Sequence, residues 1–288
     1  MPSSILESGS DSRPGALRRL TRHRGAVVGL VILGALALMA LAAPWLSPRD
    51  PIKTAPREAL QAPGPRFLLG SDQFGRDVAS RALHGARLSL TVGLIAVSIA
   101  VGLGAPVGLL SGYYGGRIDG FVMRVVDVLL AFPGILLALA IVSVLSPGLT
   151  NVMIAVGLSA VPNYARLIRA SALSAREQLY VEAARALGGR DLSIVVRYIL
   201  PNVVAPLIVT ATLGLGTAIL SAAALSFLGL GSQPPQPEWG RMLSEGRDYL
   251  REAWWISTVP GLGIMLTVLA MNLLGDGLRD VLDPRLKV

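Results

Sequence analysis

The sequence predicts an all-α membrane protein with six transmembrane helices, and three observations support this class. Only 15% of the 288 residues are charged and 52% are hydrophobic, whereas soluble domains carry about 25% charged residues. The mean hydropathy is +0.60. Several apolar runs reach the roughly 20 residues with which a helix crosses ~30 Å of hydrocarbon. The bilayer is therefore the expected solvent for most of the chain.

The chain begins with a polar segment, residues 1–24, followed by the first apolar run at 25–46. Five arginines crowd before this run without an acidic residue among them: Arg13, Arg18, Arg19, Arg22 and Arg24. Basic flanks favour the cytoplasmic side of a membrane, so we expect a cytoplasmic tail. The run is too long for a signal-peptide core and lacks a clear cleavage site after it, which predicts a retained first helix.

The remaining elements follow a polar stretch, 47–87, which is rich in proline and charge and which we predict to be extracytoplasmic. A core at 88–276 then contains transmembrane helices 2–6, and 277–288 forms a second cytoplasmic tail. The five core runs lie at roughly 88–110, 125–146, 149–168, 202–230 and 254–275. Six spans place both termini on one side, and the distribution of Lys and Arg favours the cytoplasm.

Composition argues against several functions. The net charge of +8 fits basic residues flanking membrane helices, and no soluble basic domain is present to bind nucleic acid. The chain has no cysteine and two histidines, which argues against a disulfide framework or a cysteine-based metal site. A glycine cluster near Gly112 is not followed by Gly-Lys-Ser/Thr, so we predict no nucleotide site and no cofactor bound by this chain.

The predicted spans carry almost no ionisable side chain away from their ends. Carriers that are driven by an ion or proton gradient usually hold such groups near mid-membrane, although broken helices can bind Na⁺ through carbonyl groups. A transporter with this pattern is expected to take its energy from elsewhere. A secondary carrier and a membrane scaffold or receptor without transport remain the alternative classes.

The segment 166–201 is polar but has helical periodicity. Ala172, Leu179, Ala183 and Ala186 recur at helical spacing and predict a small apolar face. Gly188 and Gly189 are expected to end this helix, because glycine accepts the left-handed cap conformation. Asp191 is predicted to cap a second helix, and Pro201 to end that helix or to open the fifth span. The segment is therefore predicted to be a helix-turn-helix on the cytoplasmic face.

The alanine-rich face of this segment suits a groove in a partner protein. A helix of this length is marginal in water by itself. A helix that lies on lipid usually presents bulky Trp, Phe or Leu side chains to the membrane, and alanine is a poor substitute for them. We therefore expect the helix to dock on another subunit.

Polar and aromatic residues on the predicted outer side give weaker signals. Asp72, Arg76 and Asp77 admit two interpretations: an Asp72–Arg76 pair at i,i+4 that orders a short helix, or a docking site for an extracytoplasmic binding protein. A second group fits an outer loop with an interfacial aromatic belt. This group consists of Glu238, Trp239, Arg241, Trp254 and Trp255.

The helix-turn-helix resembles the EAA loop of binding-protein-dependent ABC permeases. The matching residues are Glu182, Ala183, Ala184, Gly188, Leu200 and Pro201. Tyr198 departs from the family, which usually has isoleucine at this position. In that family the loop is a coupling helix that docks on the ATPase subunit. The resemblance implies this role for Glu182, Ala183, Ala184 and Gly188, with Leu179 and Ala186 on the same helix.

Three further stretches resemble the dipeptide/oligopeptide/nickel permease family. They are LGSDQFGRDVASRALHGARLSLTVG at 69–93, YYGGRIDGFVMRVVDVLLAFPGILLAL from Tyr113, and ALSFLGLGSQPPQPEWGRML from Ala224. The extra first span before a five-helix core is similar to the C-type subunit. The resemblance implies an importer of peptides or other small solutes, with cytoplasmic termini. It also implies a second related permease, two ATPase subunits that hold ATP and Mg, and an extracytoplasmic solute-binding protein.

Overall fold

The computed structural model describes residues 20–282, and helices dominate this part of the chain. Prolines and glycines delimit many of the helices, and an isolated bridge between Ser71 and Asp77 is its only strand pairing. The longer helices are α1 (Arg24–Leu46), α2 (Val78–Tyr114), α3 (Gly116–Leu130), α4 (Gly134–Leu145), α5 (Leu149–Arg176), α6 (Leu179–Ala186), α7 (Leu200–Phe227), α8 (Trp239–Gly246) and α9 (Trp255–Leu282). A short turn, Asp191–Ile194, and a π-helical turn, Val195–Ile199, lead into α7.

The predicted membrane spans correspond to helices, with some changes of boundary. By length and composition, four helical stretches within 20–282 can cross a membrane: α1, α2, α9 and the continuous stretch Asp191–Phe227 that contains α7. A fifth is obtained if α3 and α4 count as one bent span. The outer segment ends at Asp77 because that residue caps α2. The predicted C-terminal tail is helical up to Leu282, and 283–288 lie outside the described residues, as do Arg13, Arg18 and Arg19.

The run at 125–146 is not one straight span. It is broken between α3 and α4, whose axes differ by 91°. Pro133 lacks the N–H that would continue the helix, and it precedes the first residue of α4. The amphipathic α3 carries Asp127, whose carboxylate pairs with Arg166 of α5. The continuous apolar run therefore consists of two helices that point in different directions.

The run at 149–168 lies in α5, which by its own composition is not apolar enough to count as a membrane span. This helix is 28 residues long, or about 42 Å at 1.5 Å per residue. It packs on α2, α4 and α7 and contributes Val152, Ala155 and Val156 to the central core. Because neighbouring helices cover it, α5 needs less apolar surface than a helix that faces lipid.

The crossing of α2 and α5 depends on glycines. A Cβ atom on Gly104 would lie 2.8 Å from the carbonyl oxygen of Val161, and one on Gly112 would lie 2.8 Å from that of Arg169. Between them, a Cβ on Gly108 would collide with the carbonyl oxygen of Ala165. Small residues allow membrane helices to approach this closely. The two helices run parallel, since residue numbers rise together along the contact.

The two ends of the described chain meet at one end of the bundle. His23 caps α1 and lies 3.2 Å from the Asp280 carboxylate near the end of α9. A Cβ on Gly277 would contact Ala26. This arrangement agrees with an even number of crossings. We name the two ends after the orientation that the sequence predicts. This end, which also holds α6, is called the inner end, and the opposite end, which holds residues 47–77 and α8, is called the outer end.

Candidate coupling surface and central cavity

The glycine stop after α6 is present as the sequence predicts. Gly188 has φ +77°, and its N–H donates to the carbonyl of Arg185 at 3.0 Å. The N–H of Gly189 donates to the carbonyl of Ala184 at 3.0 Å. This pair of bonds is the Schellman motif, in which a left-handed residue closes the last helical turn. The turn then directs the chain towards α7. Pro201 is the second residue of that helix, as the prediction that it opens the fifth span requires.

The helix α6 is attached to the bundle by one face and exposes the other. Val181 is fully buried in an apolar cluster with Ile168, Ile194 and Ile199. The opposite face is open: Leu179 is 81% exposed. We define the coupling surface by its exposed residues, which are Leu179, Glu182, Ala183, Ala186 and Leu187. Ala184 is half-buried at its edge.

One residue of the predicted apolar face belongs elsewhere. Ala172 is fully buried within α5, where its methyl group packs under Gly112. The helix α5 continues to Arg176, and a break at 177–178 separates it from α6. Ala172 and Leu179 therefore belong to two different helices, and the prediction that they share one apolar face was wrong. Asp191 lies in the first turn of the next helical segment, whose N-cap residue is Arg190.

A cavity of about 450 Å³ lies between α2, α4, α5, α7 and α9. Its wall combines apolar residues with neutral hydrogen-bonding groups and contains no Asp, Glu, Lys, Arg or His. The polar members are Ser159, Asn163, Tyr164, Thr210, Thr217, Ser221 and Asn272. Tyr164 donates its hydroxyl to the Thr210 carbonyl at 3.3 Å. Such a wall offers hydrogen bonds to a polar solute without a fixed charge.

At the outer end, Asp72, Arg76 and Asp77 are only 1%, 3% and 2% exposed. Arg76 pairs with Asp72 at 2.5 Å, which confirms the i,i+4 pair, but the segment is a turn and not the predicted short helix. Asp77 caps α2 by accepting from the Ser80 amide at 2.7 Å. The polar groups of these three residues are engaged inside the chain, which leaves little surface for contact with a binding protein, and a docking role stays a prediction.

Two residues of this buried cluster were not found from the sequence. Arg81 is 1% exposed and lies 3.0 Å from the carboxylate of Glu245, which also pairs with Arg76 at 2.8 Å. Arg81 is also 3.4 Å from Asp72. The ion cluster of Asp72, Arg76, Arg81 and Glu245 thus ties the outer segment and the start of α2 to α8. No local pattern indicates a partner so far along the chain.

The residues assigned to an outer loop with an aromatic belt differ in exposure. Trp254 is 55% exposed, whereas Trp239 and Trp255 are buried in the outer core. The Trp255 indole donates to the Ser71 carbonyl at 3.0 Å. Glu238 is buried and caps α8; burial raises the pKa of its carboxyl group, against hydrogen bonds from the amides of Gly240 and Arg241. The side chains of Glu238, Trp239 and Trp255 therefore pack inside the outer end, which leaves Trp254 as the exposed tryptophan of this group.

Comparisons with known proteins match this architecture. Residues 104–288 match the family model described as binding-protein-dependent transport system inner membrane component. Residues 15–63 match the N-terminal TM domain of oligopeptide transport permease C. A chain of the MetNI methionine ABC transporter, solved in inward-facing conformations, aligns with a TM-score of 0.56 at 23% identity, over 69% of this chain and 95% of that one. This last likeness concerns the fold alone.

Curated relatives extend the match to nearly the full chain. The dipeptide transport system permease protein of Alkalihalophilus pseudofirmus is 48% identical over 94% of this chain and 90% of its own. The di/tripeptide transport system permease protein of Pseudomonas aeruginosa is 49% identical over 92% and 89%. The glutathione transport system permease protein of Escherichia coli is 46% identical over 94% and 89%. The chain therefore belongs to the family of binding-protein-dependent transport system inner membrane components.

Proposed function

We propose that this chain is one of two related permease subunits that form the translocation pathway of an ATP-driven importer. Two ATPase subunits, which hold ATP and Mg, dock at the inner end, and a solute-binding protein delivers cargo at the outer end. The observation that carries the proposal is the coupling surface. An eight-residue helix, held by the buried Val181, exposes Leu179 at 81%, and the residue that caps its C-terminus, Leu187, is 88% exposed. A partner that covers these side chains would remove their apolar surface from water, which favours association.

The central cavity supports short peptides as cargo. Peptide groups need hydrogen-bond donors and acceptors, and the neutral side chains of the cavity wall supply both. A pathway without fixed charge also holds a zwitterionic solute weakly enough to release it. The named cargoes of the three relatives, dipeptides, di/tripeptides and glutathione, are all short peptides. We therefore propose di- or oligopeptides as the substrate class.

The first test concerns Gly188 and Glu182. Gly188→Val places a β-branched residue in a left-handed conformation, at a cost of about 1–3 kcal/mol, although no atom lies within 4 Å of the added Cβ. Glu182→Lys reverses an exposed charge. We expect normal membrane abundance, with at least about tenfold weaker ATPase association and lower uptake of labelled dialanine. Full association and full uptake in both variants would remove the support for this function.

The second test concerns orientation. We propose that both termini are cytoplasmic, because basic residues flank the inner end. A cysteine at the exposed Gln178 should resist an impermeant thiol reagent in intact cells and react in inside-out vesicles. A cysteine at the exposed Gln233 should show the reverse. We choose Gln233 because the neighbouring Ser232 is fully buried. Labelling of position 178 in intact cells would contradict the proposed orientation.

A further inference from the structure

Tyr113, in the last turn of α2, contacts α6 and the residues that flank it in three ways. Its hydroxyl donates to Asp191 Oδ1 at 2.5 Å. Its main-chain carbonyl accepts from Nη1 of Arg176, the last residue of α5, at 2.9 Å. The guanidinium carbon of Arg185, on α6, lies 5.7 Å from the centre of its ring, within range of a cation–π interaction. One buried side chain, 3% exposed, therefore contacts both sides of the Gly188 turn.

The other attachment of α6 to the bundle is apolar. Val181 is the only buried residue of that helix, and it packs in the inner cluster with Ile168 and Ile194. Apolar contacts resist separation but have little preferred direction. The hydrogen bond from Tyr113 to the Asp191 carboxylate has a fixed geometry, and charge-assisted bonds of this kind are the stronger ones. It can therefore fix the position of α6 and the following turn to Asp191 relative to α2.

The helix α2 connects this contact to the outer end. It has 37 residues, or about 55 Å at 1.5 Å per residue. Arg81, in its first turn, is part of the buried ion cluster with Glu245. Gly115, with φ +66°, then separates α2 from α3, so a displacement at Tyr113 acts on α2 first. Tyr113 and Arg81 thus lie at opposite ends of one continuous helix.

We infer that Tyr113 is the positioning residue that makes α2 follow the movement of the coupling helix, through its hydrogen bond to Asp191. This inference rests on the proposed function of α6 as the ATPase contact. ATP-driven displacement of α6 is transmitted to the outer end through α2. Without the hydroxyl, the ATPase subunits still dock and hydrolyse ATP, but a smaller part of their movement reaches the pathway.

The test uses Tyr113→Phe, which removes one hydroxyl and retains the ring. Tyr114→Phe is the matched control, since Tyr114 is adjacent, 52% exposed and without a hydrogen-bond partner for its hydroxyl in the described part of the chain. The complete importer, with its partner permease, ATPases and binding protein, is reconstituted in proteoliposomes. Dialanine uptake and ATP hydrolysis are measured together. We expect uptake per ATP to fall at least several-fold for Tyr113→Phe only, with unchanged ATPase association.

Substitutions of Asp191 test the bond itself. Asp191→Ala should reproduce the loss, and the double variant with Tyr113→Phe should be no worse than either alone. Asp191→Asn keeps an acceptor oxygen and should restore most of the uptake per ATP. Three results would each overturn the inference. They are additive losses of uptake per ATP in the double variant, the same uptake per ATP in Tyr113→Phe and Tyr114→Phe, and weaker ATPase association in Tyr113→Phe. Failure of the proposed function is separate, because it is detected with Gly188→Val and Glu182→Lys.

Discussion

The outer and inner ends of the molecule differ in how far their polar and charged side chains are buried. At the outer end, Asp72, Arg81 and Glu245 are nearly inaccessible and neutralise one another with Arg76. At the inner end, Leu179 and Glu182 of α6 and the capping residue Leu187 are exposed. The outer end is completed by contacts within the chain, whereas the inner end offers a surface that another protein can cover.

The comparison shows that a charged residue is not by itself a sign of a contact surface. The charged residues at the outer end are buried and stabilise the structure, whereas the small and apolar residues of the coupling surface are exposed and available for contact. Substitutions should therefore change stability at the outer end and association at the inner end. Three predictions test this division, in order of decreasing effect on stability.

The largest effect is expected from Glu245→Ala. This change leaves Arg76 and Arg81 without the carboxylate that bridges them. Removing one partner of a buried ion pair costs about 3–5 kcal/mol. The thermal unfolding of the purified subunit in detergent should move to clearly lower temperature. Asp248→Ala, which removes a 73% exposed carboxylate paired with Arg247, is the control, and an equal shift in both would contradict a structural ion cluster.

A pair of glycines gives the intermediate case. Gly75 at the outer end and Gly188 at the inner end have φ +72° and +77°. Alanine at either position suffers the strain of a left-handed conformation, about 1–2 kcal/mol. At Gly75 the added Cβ also collides with the carbonyl oxygen of Ala55, whereas at Gly188 it meets nothing within 4 Å. Gly75→Ala should therefore lower the melting temperature more than Gly188→Ala, and the reverse order would break the comparison.

The smallest effect on stability is expected from Leu187→Ala. The side chain is 88% exposed in the isolated chain, so the free energy of unfolding should change by less than about 0.5 kcal/mol. The melting temperature should therefore stay nearly the same. Association with the ATPase subunits should nevertheless weaken, because the substitution removes apolar surface that the partner would bury. Co-purification measures this. A loss of stability without a loss of association would reverse the roles assigned to the two ends.

Local signals in the sequence were sufficient for much of the fold. The extent of α1 and the stop at Gly188 follow from apolar length and from the conformational freedom of glycine. The run at 125–146 was predicted as one span because the residues on both sides of Pro133 are apolar, so hydropathy continues across the 91° bend. The burial of Arg81 was missed because its partner Glu245 is remote in sequence. Ala172 was misplaced because periodicity does not register the break at 177–178.

The contact between α2 and α5 has a consequence for sequence tolerance. At Gly108, a methyl group would meet the main-chain carbonyl of Ala165, and no change of a neighbouring side chain can move that carbonyl. Gly102, on the same helix, has no atom within 4 Å of its added Cβ. In a library that samples every amino acid at both positions, Gly108 should accept glycine alone, while Gly102 should accept many residues. Variation in this helix is therefore limited by the backbone of its neighbour.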